Sequence, residues 1–275
     1  MSDRDLIINA DDYGIASPVN SAIESLLTDG LISSASVVAN GEFFFEAAEF
    51  LRGGECAVGA HLNVVEGNPL SSPDVVKALI DQNGSFVGAK RLAIRWFANP
   101  KDVEKAIAIE WRAQLWEMSN HGLELSHADT HQHIHAFPPF ARIFLRMCRD
   151  FGVRAIRMPF EKSGINRRRI AAAGLNWCSN YSFSRHFNDF RIAHHFLGFR
   201  RAGRVNEASL LHDLANLQPG VTEMAVHPSI IDGSPYPHFQ GAEEYAALRS
   251  DSVRDRIREL QINVTDWRRL NSNGN

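Results

Sequence analysis

Short apolar runs that alternate with helix-like stretches constrain this chain more than any other feature. The series opens at Leu6-Ile7-Ile8 and recurs at Ser34–Asn40, Ala57–Asn63, Ser126–Thr130, Arg154–Pro159, Asn176–Phe183 and Gly220–Pro228. Between them lie amphipathic segments. One starts at Ser17-Pro18, a capping residue followed by proline, and ends at Gly30; others cover Glu42–Leu51, residues 101–120 and residues 138–150. Strands that alternate with helices predict a parallel sheet. About seven such units in 275 residues fit an α/β chain with one (β/α) barrel-like domain over residues 1–270. Two stretches break the alternation, residues 64–100 and 184–205, and read as excursions from the barrel. Residues 271–275 read as a disordered tail.

Composition narrows the function. The chain is 44% hydrophobic and 22% charged, with a net charge of −3 and a pI near 6.5, which gives no general case for nucleic acid or an anionic membrane surface. The three cysteines, Cys56, Cys148 and Cys178, are far apart and odd in number, so a reducing cytoplasm is expected. The charged start MSDRD carries no signal-peptide core, and no apolar run approaches the roughly 20 residues of a membrane span.

The chemically loaded residues gather where strands end. Asp11 and Asp12 close the first strand, His61 the third, His131 follows the fourth, Arg157 ends the fifth and His227 the seventh. In parallel α/β folds the carboxyl rim is where active sites form. Adjacent strand residues point to opposite faces, so a regular pleat cannot aim both Asp11 and Asp12 at one target. At a frayed strand end they can diverge into two tasks, one a metal ligand and one a base.

In HADTHQHIH, the residues His127, Asp129, His131, His133 and His135 occupy alternate positions and would share a face of an extended strand. Such a strand spans roughly 26 Å from His127 to His135, so only one or two of them can reach a single ion. One carboxylate and two imidazoles around an ion with open positions is the pattern of hydrolytic metal sites. Asp12, His61 and one histidine of 131–135 would supply it. His227 suits a general acid. Arg157 pairs with a site carboxylate or clamps a substrate, with a plain structural salt bridge equally open. Glu223, four residues before His227, reads as structural. A phosphoesterase would want more Lys and Arg at the strand ends than Arg157. Adjacent acids suit a two-carboxylate glycosidase poorly. A non-catalytic glycoside-binding protein on the same fold needs no metal.

The ordered set NADDYG (9–14), GAHLN (59–63), HADTHQHIH (127–135), RMP (157–159) and EMAVHP (223–228) resembles the YdjC-like carbohydrate deacetylases. The resemblance implies a barrel-like fold of the glycoside hydrolase/deacetylase type, a divalent metal, and removal of acetyl groups from N-acetylated amino sugars. Chitooligosaccharide deacetylases belong to this family. Carried over, it makes Asp12, His61 and His131 the metal ligands, Asp11 the base and His227 the acid. It suggests Mg2+, whereas two imidazoles suggest Zn2+. Residues 64–86 (VVEGNPL…IDQNGSF), together with HGLELSHADTHQHIH (121–135), are most similar to the branch associated with hopanoid biosynthesis, which implies an N-acetylglucosaminyl hopanoid, a lipid-linked substrate. Tyr13 stands where the family commonly has Phe, and residues 184–205 match no family pattern. The exact acceptor, the choice among His131, His133 and His135, and the oligomeric state, with a homodimer among the options, stay open.

Overall fold

A computed structural model describes residues 4–52, 54, 56–161, 169–184 and 189–272. In chain order the elements are β1 (Arg4–Tyr13), α1 (Ser17–Thr28), β2 (Ser34–Val37), α2 (Phe44–Arg52), β3 (Ala57–Leu62), α3 (Pro73–Val76), α4 (Ala89–Ala98), α5 (Pro100–Asn120) and β4 (Leu125–Thr130). A 3-10 segment (His131–Ala136) leads to α6 (Pro138–Asp150), β5 (Ala155–Ile156), α7 (Arg169–Phe183), β6 (His195–Leu197), α8 (Glu207–Ala215), β7 (Gly220–Val226), α9 (Gly241–Leu248), α10 (Asp251–Glu259), β8 (Asn263–Val264) and α11 (Trp267–Ser272).

Seven parallel strands run in the order β5-β4-β3-β2-β1-β7-β6, and the short β8 pairs with the start of β1. The sheet curls into an incomplete barrel in a single domain. Its two margins meet at one parallel bridge, Ala155 to Arg191. The expected barrel-like α/β fold is therefore present. One strand is misplaced in the sequence reading: Asn176–Phe183 is the second half of α7, and the sixth strand is His195–Leu197, inside the excursion over 184–205. The reason is periodicity. Ser179 and Phe183 are buried four residues apart while Trp177 and Tyr181, also four apart, are exposed. That is a helical stripe beneath aromatic residues that mimic a strand. The excursion over 64–100 contains α3 and α4. Residues 273–275 of the expected tail lie outside the described residues.

The strand interiors explain how the fold builds a site. Alternate residues of a strand face the same side. On β1, Leu6, Ile8 and Ala10 pack outward with the main core, while Ile7 joins Ala57, Ala155, Val221 and Trp267 in a separate apolar plug. The next inward layer is polar and fully buried. Asn9 Oδ1 accepts from Ser34 Oγ at 2.7 Å and lies 3.0 Å from His127 Nε2, whose ring stacks on Trp267. Burial pushes His127 down to about 3 and so keeps it neutral. Above that layer come Asp11, Asp129, Arg157 and Glu223, then the rim. The barrel is apolar at one end and increasingly charged toward the other.

Close approach at the polar layer demands glycine at one position. A Cβ on Gly59 would stand 2.2 Å from His127 Nε2. Gly59→Ala is therefore expected to destabilise the fold by at least ~2 kcal/mol through overpacking. His127→Ala in the same chain should recover part of that loss. Denaturant unfolding of the single and double variants measures the coupling, and strictly additive losses would contradict this account.

Candidate active site

The carboxyl rim opens into a cavity of about 430 Å3 whose lining includes Asp11, Asp12, His61, His131 and His227. Both acids reach it because β1 breaks its pleat there. Pairing with β2 shifts register between Ala10 and Tyr13, and Asp12 takes φ +66°, the left-handed region that an L-residue seldom adopts. That twist turns Asp12 back toward the face that Asp11 already occupies. Gly14 (φ +96°) then completes the turn, and Gly14 N donates to Asn20 Oδ1 at 2.8 Å.

Asp11 is fixed from below. Arg157 grips it with two bonds of 2.7 Å, Nη1 to Oδ2 and Nη2 to Oδ1, and Asn9 Nδ2 donates to Oδ1 at 2.8 Å. Arg157 Nε also donates to Glu223 Oε1 at 2.7 Å, and Nη2 lies 3.0 Å from Asp129 Oδ2. The guanidinium is fully buried and is not part of the cavity wall. Of the expectations for Arg157, pairing with a site carboxylate is what the geometry contains. The substrate clamp is not, because the side chain lies beneath the carboxylates. Burial pushes Glu223 up to about 8 despite Arg157, since Asp129 and Asp11 crowd the same cation.

Three ligand-type atoms converge above this layer. Asp12 Oδ1 is 2.9 Å from His131 Nδ1 and 3.4 Å from His61 Nε2, and the two nitrogens are 3.3 Å apart. A tetrahedral ion with ligands at about 2.0–2.1 Å separates them by roughly 3.3 Å. Asp12 Oδ1 is enclosed yet accepts no well-directed hydrogen bond. An orphaned carboxylate oxygen facing two imidazole nitrogens fits a cation. Each imidazole is also held from behind. His61 Nδ1 donates to Asp129 Oδ1, and His131 Nε2 meets the Tyr236 hydroxyl at 2.9 Å and Glu66 Oε2 at 3.4 Å. Such outer partners orient metal-binding histidines. Asp11, His61 and Asp129 form a second close group, but there both carboxylates already pair with Arg157.

The histidine cluster separates after the strand ends. Gln132 (φ +55°) and His133 (φ +54°) are both left-handed, so the alternate-face pattern holds only through His131. His133 lies on the cavity wall against Phe196 and Phe199. His135 turns into the core, where its Nε2 donates to Arg157 O at 3.0 Å and its ring packs on Phe144. His227 stands across from the triad, with Nε2 3.8 Å from Asp11 Oδ2. Its backbone N–H donates to Glu244 Oε1 at 2.7 Å, which anchors the end of β7. Burial pushes the imidazole below its ordinary value, against the pull of Asp11 and Asp12. Sequence reasoning assigned no role to Asp129, Glu66 or Tyr236. Asp129 was readable from its alternation with His127 and His131; Glu66 and Tyr236 sit on loops and carry no periodic signal.

A family model described as YdjC-like protein matches residues 5–259. The chain belongs to the YdjC-like family. Among its relatives, the carbohydrate deacetylase of Thermoanaerobacter pseudethanolicus is 26% identical over 268 residues, covering 95% of this chain and 97% of that protein. The carbohydrate deacetylase of Brevibacillus brevis is 29% identical over 273 residues, covering 96% and 99%. A crystal structure of a proposed cellobiose-phosphate cleavage protein from Enterococcus faecalis V583 superimposes with a TM-score of 0.79 at 21% identity, covering 97% of this chain and 98% of that one. This YdjC-like chain therefore shares its fold along nearly its whole length.

The electrostatics of the triad give a test. Burial alone would lower both histidines. Asp129 and Asp11 outweigh it and push His61 up to about 10, while Asp12 and Glu66 push His131 up to about 9. Burial would raise Asp12, but His131 and His61 hold it well below the usual carboxylate range. The ion-free imidazoles are thus protonated at pH 7, and a cation must displace those protons. Calorimetric titration with a divalent ion at pH 7, in buffers of different ionisation enthalpy, should report proton release. Affinity should weaken as pH falls. Binding without proton release would contradict the raised basicity of His61 and His131.

Proposed function

We propose that this chain is a metal-dependent hydrolase that removes acetyl groups from N-acetylated amino sugars. The observation that carries this reading is the triangle of Asp12, His61 and His131 with Asp11 on one side and His227 on the other, all on one cavity. It is supported by relatives named carbohydrate deacetylases that align over nearly the full chain.

Each residue has a distinct task in this reading. Asp12, His61 and His131 would hold the ion, which when bound supplies a Lewis acid for the acetyl carbonyl and a more acidic water. Asp11 accepts the proton of the attacking water, its carboxylate kept in place by the Arg157 fork. His227 donates a proton to the departing amine. A depressed imidazole is a strong proton donor once protonated, which suits transfer to a basic nitrogen. Arg157 positions Asp11 and does not touch the sugar.

The donor set, two nitrogens and one oxygen, favours a borderline ion such as Zn2+. The family resemblance favours Mg2+. The similarity of residues 64–86 to the hopanoid-associated branch supports an N-acetylglucosaminyl lipid as acceptor, with a chitooligosaccharide as the alternative. A reducing cytoplasm suits three free thiols. No helix among the described residues is long and apolar enough to cross a membrane, so contact with such a lipid would be made from the aqueous side.

Acetate release from N-acetylglucosaminyl substrates is the direct assay. A chelator should abolish it and a divalent ion should restore it. Asp11→Asn and His227→Ala should each lower kcat by about 10²- to 10⁴-fold, the usual contribution of a positioned acid or base. Full activity in both variants would refute the assigned roles.

A further inference from the structure

We propose that α4 is a docking helix for an anionic phospholipid surface, and that Lys90, Arg91, Ile94 and Phe97 make the contact. These residues lie outside the cavity lining, and their role does not depend on the chemistry there.

The net charge of −3 hides a local excess of the opposite sign. Between Asp81 and Asp102 the chain carries Lys90, Arg91, Arg95 and Lys101 and no acid. All of these cations except Lys101 are on α4. Leu92 is the buried residue of that helix. At about 100° of turn per residue, Lys90, Ile94 and Phe97 fall on the opposite side, with Arg91 at its edge. Lys90 and Arg91 are exposed, and Ile94 and Phe97 keep 67% and 75% of their surface in solvent. Bulky apolar side chains flanked by cations are the make-up of helices that lie in a membrane interface. The long Lys and Arg stems reach headgroup phosphates while the apolar side chains enter the acyl boundary.

The helix is held firmly from beneath. Arg95 turns inward, where Nη1 donates to Ala78 O at 3.0 Å and to Ile80 O at 2.7 Å. Trp96 Nε1 donates to Glu104 Oε1 at 2.9 Å, and its ring packs edge-on against Phe137 and Phe140. Phe137 directly follows the 3-10 segment that starts at His131, which sets α4 on the rim side of the barrel. Gln114, well along α5, donates to Asn63 O just past the end of β3, so the start of α5 and the helix before it project beyond the strand ends. A helix already fixed in place meets little ordering cost when it binds. A second copy of this chain, seated on the same face about a two-fold axis, would set Lys90 and Arg91 against their own kind. An anionic lipid surface pairs with them instead.

The test is flotation of the full chain with vesicles of phosphatidylglycerol and phosphatidylcholine in about equal parts, against vesicles of phosphatidylcholine alone. The protein should partition to the anionic vesicles, and less so as salt rises. A Lys or Arg near an anionic surface contributes roughly fivefold in affinity, so Lys90→Gln combined with Arg91→Gln should weaken partition about 25-fold. Ile94→Ser combined with Phe97→Ser should weaken it about tenfold or more. Phe45→Ser is the control and should change nothing: Phe45 is 63% exposed on α2 and packs against His121, just past the far end of α5. Every substituted side chain is exposed, and thermal unfolding checks that each variant stays folded. Failure of the unaltered chain to bind anionic vesicles, or equal partition of the α4 variants, overturns the proposal. So does a concentration-dependent dimer in sedimentation that Ile94→Ser with Phe97→Ser dissolves while vesicles go unbound. The readout is binding without turnover, so loss of the deacetylase reading would leave this result standing.

Discussion

A single buried cation organises the charged end of this barrel. Arg157 has no solvent exposure, yet it touches Asp11, Asp129 and Glu223, which come from β1, β4 and β7. Removing a guanidinium from water costs several kcal/mol, and only well-directed carboxylates offset that cost. The pairing therefore fixes three strands to one another at the level of the site. It also sets the geometry above. Asp129, gripped by Arg157 on one oxygen, accepts a hydrogen bond from His61 Nδ1 on the other, and His61 Nε2 is thereby aimed at Asp12. Each ligand-type atom inherits its direction from the layer beneath it.

The rim departs from ideal backbone where regular geometry would fail. Asp12, Gln132 and His133 are left-handed non-glycine residues, and all three line the cavity. Conformations of this kind cost of order 1–3 kcal/mol each and persist only when surrounding structure enforces them. Here the enforcement is visible in β1's paired neighbours and in the Gln132 contact with Glu66. Strain at Asp12 resolves a conflict between the pleat, which separates adjacent side chains, and a site that needs both acids. Strain at 132–133 ends the strand early, so that one histidine joins the triad, the next forms the wall and the third returns to the core.

Much of this was legible along the chain. Alternating apolar runs pointed to a parallel barrel-like sheet, and the placement of Asp11, Asp12, His61, His131 and His227 at strand ends located the rim. Two failures have clear causes. Asn176–Phe183 offered aromatic residues typical of strands, but their burial follows a helical stripe. Arg157 was as good a candidate for a substrate clamp as for an ion pair, because a sequence does not reveal depth.

The sequence by itself determined the fold class and the inventory of reactive groups, because strand and helix periodicity and strand ends are local properties. Tertiary structure alone decided which groups meet. Only the curled sheet brings Arg157 under Asp11 across 146 positions, and only the long-range pairing of β3 with β4 sets Asp129 behind His61. Glu66 and Tyr236 reach His131 from separate loops that share no sequence pattern with it. Hydrogen bonds and charge pairs act over a few ångströms, and which atoms come that close is fixed by the packing of the whole barrel.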